Sequence, residues 1–157
     1  DEPRLRCIRL DRSAMSLQGS LFDRNCLQTG YRTIRSGDSA CVISNVYALS
    51  KVYELINRDE LSTLGLIDLF ASDSADCWCA FCDEVQRYKK IVVFEENTGS
   101  GALGSQVLEI LHAAGISGIQ VHRQCLDEDY FYENIGRDDL MARHGLSLEL
   151  LKKNIEI

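Results

Sequence analysis

Unbroken apolar runs alternate along this chain with segments whose apolar residues recur every three to four positions, a succession that predicts strands and helices in turn. Ile91, Val92, Val93 and Phe94 follow Lys89 and Lys90 without the polar interruptions of a half-exposed strand. They predict a strand over 91–95 that is covered on both faces, as in a parallel sheet. A glycine-rich turn comes next, and then Val107, Ile110, Leu111 and Ala114 fall on one stripe, predicting a helix over 105–114. Upstream, 5–10 reads as a strand and 11–29 as a long irregular connection. The segments 31–35 and 41–46 read as a hairpin-like pair turning at Ser36-Gly37-Asp38. Helices are predicted over 48–56 and 73–88, strands over 63–69 and 119–122, and short closing helices over 138–143 and 148–155, parted by Gly145 in a turn that suits a helix C-cap. This order predicts an α/β fold, a three-layer α/β/α sandwich with a mostly parallel sheet.

Composition narrows the function classes. The chain has 157 residues, enough for one well-buried core, and 45% of them are hydrophobic. A net charge of -7 argues against a nucleic-acid or anionic-membrane surface, both of which demand a basic field. No apolar run approaches the roughly 20 residues needed to span a bilayer. The 7 cysteines are odd in number and scattered, which fits reduced thiols in a cytoplasmic protein. The start at Asp1-Glu2-Pro3 with a strand arriving at once reads as a piece of a longer polypeptide.

Four constellations could carry chemistry. Gly99, Gly101 and Gly104 satisfy G-x-G-x-x-G before a helix, the pattern of a dinucleotide-binding turn. Against that, Glu95, Glu96, Asn97 and Thr98 intervene between strand and first glycine and set two carboxylates where a pyrophosphate would lie. A self-contained dinucleotide-binding domain is therefore the alternative reading, and the plainer one is a tight strand-to-helix turn. Glu95 and Glu96 are neighbours on a strand and point to opposite faces, so they cannot share a proton site; one of them is expected to hydrogen-bond the glycine turn. Cys77, Cys79 and Cys82 lack a nearby fourth ligand for zinc and read as buried, inert thiols. His112, His122 and His144 lie on three separate elements, which gives a metal triad no local support.

Taken together, Glu95, Glu96, Asn97, Gly101, Gly104 and Ser105 match in register the E-E-N-x-x-x-G-G-x-G-S of the transketolase family, which the chain resembles from about Pro3 to its end. Gly136, Asp138, Asp139, Leu140, Gly145 and Leu146 resemble the family's closing segment, and the likeness leans toward its 1-deoxy-D-xylulose-5-phosphate synthases. Ala102 departs from the pattern where a second glycine is usual, as does Ile135 where Gln or His precedes Gly136. The Lys-Pro-Leu-Asp common after the second core strand does not follow Phe70. The resemblance implies that 1–29 is the end of a preceding pyrimidine-binding domain with its linker, and that 30–157 is the family's C-terminal domain. By the same resemblance that domain is expected to be non-catalytic and to serve interdomain and dimer packing. It is expected to hold no cofactor itself, with thiamine diphosphate and magnesium sitting between the two preceding domains of a parent that moves two-carbon units between sugar phosphates or from pyruvate. Implied partners are those preceding domains and a second copy in a homodimer, or a docked protein as in the related 2-oxoacid dehydrogenase subunits. Arg12 resembles the arginine that contacts substrate phosphate in sugar-phosphate members, a role that suits a planar two-pronged donor.

Overall fold

The computed structural model describes residues 24–58, 61–70 and 75–156. The strand expected over 5–10 and the phosphate contact expected of Arg12 lie outside them. Among the described residues five strands form one sheet in the order β1-β3-β2-β4-β5, with β1 (Tyr31–Arg35) antiparallel to β3 (Gly65–Leu69). The remaining pairs among β2 (Ala40–Ser44), β3, β4 (Lys90–Thr98) and β5 (Gln120–Leu126) are parallel.

Successive residues of the central strands feed two separate cores, as the two-residue pleat requires. Cys41, Ile43, Ile91 and Val93 pack under α3 (Ala75–Val85) and α4 (Leu103–Ala113). Val42, Val92 and Phe94 pack under α2 (Val46–Asn57), α5 (Arg137–Arg143) and α6 (Leu148–Ile155). These are the three expected layers. At Gln124 the outer strand reaches the tail: the side chain, only 3% exposed, donates to Ser147 O at 2.8 Å and Gly145 O at 3.3 Å.

Two local expectations are corrected. β1 and β2 are not paired, because both edges of the fully buried β2 are taken by parallel neighbours. The more polar β1 goes to the sheet edge beyond β3, where Arg32 Nε meets Asp68 Oδ2 at 3.0 Å. Their connection passes over the start of β3: a Cβ on Gly37 would stand 2.1 Å from the Gly65 amide nitrogen, and Asp38 N donates to Thr63 O at 2.9 Å. Secondly, the connection expected to stay irregular to residue 29 ends in a helical turn, α1 (Arg24–Thr29), packed on α3. Gly30, with φ 72, ends it, and its amide donates to Cys26 O at 2.9 Å.

Candidate functional site

β4 continues past its apolar run, and its last residues carry the polar groups of the glycine motif. Glu95 is fully buried; its Oε2 accepts from Leu103 N at 2.7 Å and its Oε1 from Gly104 N at 2.8 Å. Those amides open α4, whose N-cap Ala102 has no side chain able to cap it. A carboxylate from the adjoining strand thus satisfies two of the orphan donors and faces the positive end of the helix dipole. Burial raises the Glu95 carboxyl above its ordinary range, against the downward pull of the Gly104 and Leu103 amides and of Arg123. Glu96, on the opposite face, forms a two-pronged ion pair with Arg137 of α5, Nε to Oε1 at 2.5 Å. The Arg137 guanidinium also lies 3.8 Å from the ring centroid of Tyr47, whose hydroxyl donates to Asp138 at 2.7 Å.

The other motif residues shape the turn. Gly101 has φ +69 with nothing near its absent side chain, so the backbone conformation alone calls for glycine. Gly104 is a matter of space: a Cβ there would lie 2.8 Å from Arg123 Cγ and 3.0 Å from Glu95 Oε1. Ser105 Oγ donates to Gly99 O at 2.9 Å, and Arg123 Nη2 donates to the same carbonyl at 2.6 Å. The two amides that a dinucleotide-binding turn would offer to a pyrophosphate are therefore spent on an internal anion.

Asn97 lies on the wall of a cleft of about 420 Å³ at the carboxyl ends of the central strands. The cleft opens between β2 and β4, whose following helices leave to opposite faces of the sheet, the switch point at which open α/β sheets bind ligands. Asn45, directly after β2, and Gln106 of α4 line it as well. Val46, beside Asn45, has φ 49, a left-handed backbone that a β-branched residue rarely adopts. Sequence reasoning missed Asn45, Val46, Gln106, Tyr47 and Arg137; a polar pair, Ser44-Asn45, ending the apolar run 40–43 was the available signal for the first.

The cysteine expectation needs correction at one position. Cys82 is buried, but Cys79, on the same helix, is exposed, because the groove between α3 and α4 leaves that edge of α3 uncovered. Nothing is described of the Cys77 side chain. His112 is exposed in the last turn of α4, His122 is exposed on β5, and His144 follows α5, where it stacks on Phe131 and meets Glu133 Oε1 at 3.1 Å. Among the described residues no group of three His, Cys, Asp or Glu could hold a metal ion, and no helix is long and apolar enough to cross a membrane.

No protein-family model matches the chain. Over 69 residues it is 38% identical to the 1-deoxy-D-xylulose-5-phosphate synthase of Natranaerobius thermophilus, a match covering 43% of this chain and 11% of that protein. Over 65 residues it is 38% identical to the synthase of the same name from Pelotomaculum thermopropionicum, covering 41% of this chain and 10% of that one. The matched stretch thus spans about a tenth of those relatives' length. Among solved structures, a split-gene transketolase described as an inactive beta4 tetramer superposes with a TM-score of 0.68 over 92% of this chain and 47% of its own, at 19% identity. That likeness carries the fold.

Proposed function

We propose that this chain, a transketolase-family C-terminal domain by fold and by partial sequence likeness, is the non-catalytic packing domain of a thiamine-diphosphate-dependent transketolase-like enzyme. The observation that carries the reading is the seal at Glu95: the glycine-rich start of α4 is closed by a buried carboxylate of the chain's own. Thiamine diphosphate and magnesium do not fit the residues present. The Leu103 and Gly104 amides that would face a diphosphate already bond Glu95, and among the described residues no acidic or histidine cluster supplies metal ligands. In this reading the cofactor belongs to the preceding domains, where two-carbon units would be moved between sugar phosphates or from pyruvate.

The work left to this domain is assembly. Tyr130 and Tyr132 are 82% and 89% exposed in the segment after β5, an arrangement that suits burial against the rest of the parent or a second copy in a dimer. Free cysteines accord with a cytoplasmic setting for that assembly.

Thermal unfolding tests the reading. The chain alone should keep its midpoint on addition of thiamine diphosphate with magnesium, or of NAD, whereas the chain purified with the polypeptide encoded upstream should be stabilised by the former. A rise of several degrees for the chain alone with either ligand would overturn it.

A further inference from the structure

We propose that the switch-point cleft is a binding site for a small, uncharged polyhydroxylated ligand, held by the side-chain amides of Asn45, Asn97 and Gln106. The assignment stands independently of the packing role proposed above, since it concerns a cleft formed wholly within this domain.

Three observations combine. The amides come from the end of β2, the end of β4 and the second turn of α4, and all line one cavity of about 420 Å³. None of the three has a side-chain hydrogen bond among the described residues; Asn45 stands at the N-cap position of α2 without capping it. A side-chain amide bears both donors and an acceptor, so three such residues lining one cavity match the paired donor and acceptor character of neighbouring hydroxyl groups. Leu69 and Phe70 complete the lining of a wall that is mainly polar, as a polyhydroxylated ligand requires.

Charge selects against an anion. Among the described residues no Lys, Arg, Asp or Glu lines the cleft. Behind it, the Leu103 and Gly104 amides that would attract a phosphate are saturated by Glu95. At its rim, Ser100 Oγ donates to the Glu128 carboxylate at 2.6 Å, which adds negative potential. A phosphate ester would therefore meet the Glu128 carboxylate at the rim and no cation in the lining, a charge to which a neutral polyol is indifferent.

The side-chain NH2 resonances of the three residues provide a direct readout in amide-correlated NMR of the full chain. D-ribose is the neutral probe and D-ribose 5-phosphate its charged counterpart. The site predicts saturable shifts of the Asn45, Asn97 and Gln106 NH2 pairs with ribose in the millimolar range, and weaker binding of the phosphate ester. Asn45→Ala and Gln106→Ala, both at partly exposed positions, should each weaken ribose by about fivefold, the worth of one hydrogen bond. Absence of saturable shifts in these pairs, tighter binding of the phosphate ester, or unchanged affinity in both variants would each overturn the assignment.

Discussion

The Glu95 carboxylate accepts the Gly104 amide at 2.8 Å across the gap between the end of β4 and the first turn of α4. With the second bond from Leu103, that contact locks strand to helix at the point where a nucleotide-binding turn would stay open. Glu95→Ala leaves two buried donors without a partner and should lower stability by about 2–4 kcal/mol in urea unfolding. Glu95→Gln keeps a single acceptor oxygen and should fall between the two.

Titration gives an independent check on the same carboxyl. Its folded pKa is raised above the ordinary 4.5, chiefly by burial, so the native state holds the proton more tightly than the unfolded chain. The contribution of this group is then fully present below about 4.5 and declines as pH rises through the raised value. The stability of the parent chain minus that of Glu95→Gln should accordingly shrink between pH values below and above that window. A difference that grows with pH would show that the amides, not burial, dominate.

Glycines in this fold divide by cause, and substitution should separate them. Gly101→Ala meets open space and only the left-handed backbone opposes it, at about 1 kcal/mol. Gly104→Ala presses on Arg123, which can yield, and on Glu95, which is held by two bonds, so about 1–3 kcal/mol is expected. Gly37→Ala drives a methyl group to 2.1 Å from backbone nitrogen and should cost about 4 kcal/mol or more. Equilibrium unfolding of the three variants should give that order.

The layers were legible in the chain because Ile91 to Phe94 and Cys41 to Ile43 must be covered on both faces, and only helices on either side of a parallel sheet do that. The glutamates were legible in part: adjacency on a strand sends them to opposite faces, but nothing local says that Glu96 meets Arg137, 41 residues away. Strand order was not legible, since β1 loses its place beside β2 to a competition with β3 and β4 that depends on the whole sheet. The cleft was missed for the same reason: Asn45, Asn97 and Gln106 have no shared spacing and meet only at the switch point.

Arg137 joins the tail to the sheet through geometry that lysine cannot reproduce. Its planar fork meets both oxygens of Glu96 while its face lies over Tyr47. Arg137→Lys keeps the charge but loses the second prong and the stacked plane, and should cost about 1–2 kcal/mol. The loss should be local, seen as faster amide exchange in α5 with little change in β2 and β4.

Thiol reactivity should rank the cysteines by cover, not by their proximity in sequence. Burial pushes the Cys41 thiol far up, and its carbon neighbours leave no approach for a reagent. Burial also raises Cys82, with the nearby Cys79 and Asp83 adding to the shift, whereas Cys79 stands exposed on the groove beside it. A thiolate must form and be reached before it reacts, so iodoacetamide under native conditions should modify Cys79 well before Cys82 or Cys41. Those two should become reactive together with global unfolding as urea is raised. Peptide mapping by mass spectrometry distinguishes the outcomes, and early modification of Cys82 alongside Cys79 would mean that α3 opens locally without the rest of the fold.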